Sequence, residues 1–161
     1  VADAVGADRT GIRFSPWGTF QGMRMEDPKP QFEYLATQTA QLGLAYVHLV
    51  ESGIAENATV GPDDQLEFFL RAYGKASPVI VAGGYEAETA VRAVDEKYAD
   101  YDAIVGIGRP WISNPDLPFR IQKGIPFVPY DSGTFYVPKE PKGYIDYAFS
   151  AEFQKSIEAA A

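Results

Sequence analysis

Residues 105–116 read VGIGRPWISNPD. A short apolar run ends on glycine, an arginine follows, and Asn114 with Pro115 reads as the start of a helix. Gly108 lets a ligand approach the backbone closely. The amides of a helix start offer donors and partial positive charge. Arg109 adds a forked cation suited to phosphate. The plain alternative is a tight turn beside a solvated charge, and on these residues alone the two readings stand level. GIGRPW also lacks the third glycine of a dinucleotide fingerprint, with Trp111 in its place, which argues against a Rossmann domain.

One unit upstream the pattern repeats. VIVAGGYE (79–86) is an apolar run that leaves through Gly83 and Gly84 into a helical stretch. Consecutive phosphate-gripping turns after the last two strands are a known arrangement in βα barrels. Two further apolar runs, at 11–15 and 44–50, match those at 78–82 and 103–107. All four are short, rich in Val, Ile or aromatics, and bounded by Gly, Pro or charge, so they read as strands. Their continuous apolarity predicts a parallel sheet covered on both faces. Helical patterns fill the gaps. Residues 29–43 put Phe32, Leu35, Thr39 and Leu42 on one face, and residues 62–74 run Leu66, Phe69, Leu70 and Tyr73 along one side. Residues 85–98 carry acids at the head with Val91 and Val94 inward, and residues 114–124 run from Asn114 to a terminating Gly124. The order is β-α repeated four times, followed by an irregular arm over 125–161 that ends in a short helix, all within one domain. Four such units make a small open sheet or half of an eight-fold barrel; a whole barrel needs about 250 residues.

Composition narrows the function classes. The chain has 161 residues, 46% hydrophobic and 22% charged, ordinary for a globular domain with a real core. Its net charge of −8 argues against nucleic acid. With no cysteine and one histidine, disulfides, thiolate sites and histidine-rich metal sites are excluded, so no metal is expected. No apolar run approaches the roughly 20 residues of a membrane span. No signal peptide opens the chain, so the cytoplasm is the expected compartment. The glycosylation triplet at 57–59 is of a kind that arises often by chance.

Four other positions could carry chemistry. Arg13 sits inside the first strand, where a buried guanidinium needs an anionic or carbonyl partner, from protein or ligand. His48 lies mid-strand and reads as a hydrogen-bonded core histidine rather than a catalytic one. Glu51 ends the same strand, where it is either a base or a structural ion pair, for instance to an arginine. Phe135 and Tyr136 lie in the arm, where they either plug it down or cover a planar ligand.

Taken together, GIRFSPWG, YVHLVE, VIVAGGY, GIGRPWISNPDLPFRI, DSGTFY and GYIDY resemble the C-terminal half of the old yellow enzyme family, FMN-dependent ene-reductases, and its fungal members in particular. The resemblance covers residues 11–147 and implies strands five to eight of a (β/α)8 barrel with FMN at its C-terminal mouth. It implies that Arg13 faces the flavin pyrimidine edge, that Gly83 and Gly84 form the strand-seven phosphate turn, and that Gly108 and Arg109 form the strand-eight grip. Many relatives carry Asn at the second glycine of the strand-seven turn; Gly84 keeps only the backbone amide. Phe135 resembles the residue beside the flavin's dimethylbenzene end, Tyr136 the one near substrate, and residues 54–60 a lid. The implied reaction passes a hydride from NADPH to the flavin, then to the β-carbon of an enone or enal. The family's carbonyl-binding pair and proton-donor tyrosine belong to the missing half, so no catalytic residue is expected in this chain. It should need an N-terminal half as partner, as a separate chain or as the rest of a longer precursor. The alternatives are a phosphosugar-type barrel enzyme with Glu51 as base, and a non-catalytic half-barrel scaffold.

Overall fold

The computed structural model describes residues 1–52 and 65–160, and the chain divides into two compact units, Val1–Gly106 and Ile107–Ala161. The expected lid at 54–60, the glycosylation triplet and the first residues of the helix expected at 62–74 lie outside the described residues.

The first unit is a four-stranded sheet of β1 (Gly11–Phe14), β2 (Tyr46–Val50), β3 (Val79–Ala82) and β4 (Ala103–Gly106). All pairings are parallel and the spatial order is β1-β2-β3-β4. The helical elements are α1 (Ala2–Val5), α2 (Lys29–Ala40), α3 (Glu67–Tyr73) and α4 (Ala87–Arg92), which runs on into one π turn, Ala93–Lys97. Each strand adds on the same side of its predecessor. Parallel crossovers are right-handed in nearly all proteins, so a chain that keeps adding strands in one direction lays its helices on one face. The α-β order expected from sequence is therefore present, but the expectation of a sheet covered on both faces is not.

Burial follows the pleat instead. Val47 and Leu49 of β2 and Val79 and Val81 of β3 are buried, and they pack with Ala36 of α2 and Phe69 and Leu70 of α3. Phe14 joins this layer, its ring 5.6 Å from Phe69 and 6.0 Å from Phe32. The alternate residues Arg13, His48, Ile80 and Ile104 form one register row on the opposite face. Ile104 is 52% exposed there and Tyr46 41%. The apolar run in each strand thus serves two faces, of which the described residues cover one. A second correction concerns residues 85–98: Val91 and Val94 point outward, while Ala93 and Tyr98 are buried. The capping box of Glu86 and Thr89 sets where the helix starts, and its closing π turn shifts the buried positions by a residue.

The second unit holds α5 (Pro110–Ser113), α6 (Leu117–Lys123) and α7 (Ala151–Glu158). The helix expected from 114 is broken. Asn114 follows α5 instead of capping a helix, Asp116 precedes α6, and Gly124 ends α6 in the left-handed conformation as expected. The reason is that the Asn114 side chain is committed elsewhere. Its Nδ2 donates to the carbonyls of Pro110 (2.8 Å) and Val128 (3.0 Å), and its Oδ1 accepts from the Val128 amide at 2.8 Å. Phe119, Phe153 and Phe149 then pack in series, with centroids 5.2 and 5.0 Å apart.

Phe69 is fully buried between sheet and helices. Phe69→Ala is expected to destabilise the chain by about 3–5 kcal/mol, read as a lowered urea midpoint; a loss below about 1 kcal/mol contradicts this core assignment.

Candidate functional site

In the first unit Glu51, Gly83 and Gly84 gather at the C-terminal ends of β2 and β3. Gly83 and Gly84 follow β3 directly, and Gly84 has φ 68°, a left-handed conformation that disfavours side chains. A Cβ on Gly84 would meet nothing within 4 Å. Gly83 differs: a Cβ there would fall 2.4 Å from the Cβ of Glu51. Its bareness serves close packing, and only Gly84 leaves backbone open to a ligand.

Glu51 is the centre of a polar cluster. Tyr85 donates its hydroxyl to Oε1, as does Tyr98 at 2.5 Å, and Lys97 Nζ lies 3.1 Å from both carboxylate oxygens. Burial, and then the hydrogen bond to the Glu51 carboxylate, raises both tyrosines well above the ordinary phenol range. Neither phenol is poised to give up its proton near neutral pH. Both oxygens of Glu51 are thus answered, which favours the structural ion pair over the general base, with Lys97 rather than an arginine as partner. An open cleft of about 580 Å³ adjoins the cluster, lined by Ser52, Thr89, Arg92 and Glu96 among others. Sequence reading missed Tyr85, Tyr98 and Lys97. The available signal was the tyrosine directly after the glycine pair.

Arg13 lies on the open face of the sheet and is exposed, so the expectation of a buried guanidinium is corrected. The cause is again the single helical layer. Its register neighbour is His48, whose pKa is lowered by burial and further by the Arg13 charge, which keeps the ring neutral at neutral pH. His48 Nε2 is buried without a hydrogen-bond partner among the described residues, so the expected hydrogen-bonded core histidine is not what forms.

The second unit holds the other predicted positions. Gly108 and Arg109 are exposed, and a Cβ on Gly108 would meet nothing within 4 Å. Phe135 is half-buried, its ring 5.3 Å from Tyr130 and 6.3 Å from Tyr136. Tyr136 is 92% exposed. The SNPD segment of the motif is structural. Ser113 donates to the Val128 carbonyl at 2.7 Å. Asp116 Oδ1 accepts from Arg120 Nε at 2.7 Å, while Oδ2 accepts from the Ser150 amide at 3.0 Å and from its hydroxyl. Arg120 also donates to the Pro126 carbonyl at 2.9 Å. Burial alone would raise the Asp116 pKa, but the bonds from Ser150 and Arg120 outweigh it and hold the carboxyl at about 2. Among the described residues no group of three acidic or histidine side chains is placed to hold a metal, and no helix is long and apolar enough to cross a membrane.

Comparison with known proteins supplies the context for these geometries. The family described as "NADH:flavin oxidoreductase / NADH oxidase family" matches residues 1–127. "Chanoclavine-I aldehyde reductase fgaOx3" of Penicillium roqueforti is 83% identical across 100% of this chain, which spans 44% of that relative. "Probable inactive dehydrogenase easA" of Claviceps fusiformis is 46% identical over 95% of this chain and 42% of its own length. Among solved structures, the old yellow enzyme from Trypanosoma cruzi superposes with a TM-score of 0.79 at 32% identity, covering 92% of this chain and 37% of that one. Morphinone reductase gives 0.78 at 34%, covering 93% and 38%. The chain therefore spans less than half the length of the relatives it matches.

The Asp116 carboxyl titrates lower in the folded chain than its ordinary 3.8, so its contribution to stability is complete above that value and is lost as pH falls through about 2. Asp116→Asn is expected to lower stability at neutral pH and to flatten the acid limb of a stability–pH profile. An unchanged acid limb contradicts the buried pair.

Proposed function

Because the chain belongs to the NADH:flavin oxidoreductase / NADH oxidase family, we propose that it is the C-terminal part of an FMN-dependent ene-reductase. It acts once an N-terminal half completes the barrel. The observation that carries this reading is the bared backbone of Gly84 immediately after β3, with φ 68° and no atom within 4 Å of where a Cβ would stand. The residues present suit the cofactor. Gly84 offers an open amide to a phosphate, and Gly83 and Glu51 shape the turn that presents it. Gly108 and Arg109 supply a second open backbone and a fixed cation. Arg13, on the open sheet face, would supply the positive charge for the pyrimidine edge of the flavin, where negative charge gathers on reduction. Phe135 would flank the flavin's dimethylbenzene end and Tyr136 would line the substrate pocket.

When bound, FMN supplies hydride transfer between a nicotinamide, NADPH in this reading, and an activated alkene. This chain binds and orients the cofactor and tunes its charge. The carbonyl-binding pair and the proton donor come from the N-terminal half. The substrate is an unsaturated aldehyde or ketone; the name of the 83% identical relative points to chanoclavine-I aldehyde. A second reading, a non-catalytic member of the family, is favoured by the words "probable inactive" in the names of relatives at 43–46% identity. Glu51 as the base of a phosphosugar enzyme is disfavoured, because its carboxylate already accepts from two phenols and pairs with Lys97.

The chain completed by an N-terminal half is expected to take up FMN, show the visible band of oxidised flavin and oxidise NADPH in the presence of an enal. A flavin-loaded protein that reduces no enal supports the second reading. Arg109→Ala should weaken FMN retention by about 1.5–3 kcal/mol, the scale of a charge-assisted phosphate contact. Arg13→Ala should change the reduction rate of the bound flavin more than its affinity. Retention of both properties in both variants removes the assignment.

A further inference from the structure

Glu51 meets the β3 turn at three successive places. Its backbone amide donates to the carbonyl of Ala82 at 2.9 Å, just before the glycine pair. Its Cβ occupies the space that a side chain on Gly83 would need. Its carboxylate receives the hydroxyl of Tyr85, just after the pair. Gly84, with φ 68° and open surroundings, is bracketed by these contacts and makes none with a side chain of its own. The carboxylate is itself held from the far side. Lys97 bonds both of its oxygens at 3.1 Å, and Tyr98, which is 1% exposed, bonds one at 2.5 Å. The Lys97 ammonium also lies 4.9 Å from the Tyr98 ring, over its face.

We propose that Glu51 is the positioning residue of the Gly83–Gly84 turn: it fixes the direction of the Gly84 amide through Tyr85 and the Gly83 contact, and so makes the turn selective for a phosphate group. The phosphate part rests on the reading of this turn given above. Glu51 touches no reacting atom. It acts through backbone it holds in place, with Lys97 and Tyr98 as the frame that fixes the carboxylate. The Lys97 ammonium offsets the Glu51 charge, so an anion at the turn does not face an unpaired carboxylate. Glycine alone gives Gly84 freedom to adopt a left-handed backbone, but that freedom extends to many other conformations. The clamp selects one of them before any ligand arrives.

Two measurements test this, on Glu51→Ala and on the milder Tyr85→Phe, which removes one hydroxyl and leaves the packing in place. First, in the protein completed by its N-terminal half and free of flavin, the amide resonances of Gly83 and Gly84 are followed by NMR. Both variants should move them and speed amide exchange at the turn, while the Val128 amide, held by Asn114, stays put. Second, in the completed protein, dissociation constants are compared for FMN and for riboflavin, which lacks the phosphate. Glu51→Ala should weaken FMN about tenfold, the scale of a lost charge-assisted hydrogen bond, and riboflavin by less than about twofold. Turn amides that stay in place in both variants overturn the proposal. Equal weakening of FMN and riboflavin overturns its phosphate selectivity. If the wild-type completed protein takes up neither flavin, the cofactor reading falls, and the NMR measurement alone decides whether Glu51 sets the turn.

Discussion

The handedness of the parallel crossover is the constraint from which the first unit follows. Each βα step adds its strand on the same side, so the helices of successive steps lie side by side on one face of the sheet. Val47, Leu49, Val79 and Val81 are then committed to the helical layer. Arg13, His48, Ile80 and Ile104 are committed to the other face, whatever covers it. A doubly wound sheet would reverse direction midway and bind its ligand at the reversal. With no reversal in the order there is no such switch point, and Glu51, Gly83 and Gly84 stand at the C-terminal ends of β2 and β3.

Two carboxylates organise the polar structure, one in each unit, and they solve the same problem with different chemistry. Glu51 collects two phenols and an ammonium near the surface; Asp116 collects a guanidinium, a hydroxyl and a backbone amide in the interior. A buried pair such as Asp116 with Arg120 is costly to desolvate, and it persists because every oxygen finds a donor. Each oxygen of both carboxylates accepts at least one hydrogen bond from the protein.

Much of this was legible in the residues. The four strands fall within a residue or two of their expected limits, because short apolar runs bounded by glycine and proline admit few other readings. The helix over 29–43 and the stop at Gly124 were equally plain. What the sequence hid was relational. Asn114 before a proline has the local signature of a helix cap, and only its pairing with Val128, 14 residues on, overrides that signature. Val91 and Val94 keep helical spacing, yet a π turn changes which positions face inward. Gly83 and Gly84 look alike as letters; one is required by a neighbour's Cβ and the other by its own backbone angle. Glu51 showed its position but not its company, since Tyr85, Tyr98 and Lys97 come from 34 to 47 residues downstream.

The link from Asp116 to Ser150 has a bearing on how the C-terminal segment travels through evolution and through a protease. The family match stops at residue 127, yet Ser150, which starts α7, is bonded by amide and hydroxyl to an aspartate inside that match. The last helix is therefore fastened from its first residue, and Phe149 and Phe153 seat it beside Phe119. A cut in the intervening arm, for instance beside the exposed Lys139, would leave two polypeptides still joined without a covalent bond. By the same token, an insertion in that arm is tolerable so long as the serine reaches its aspartate.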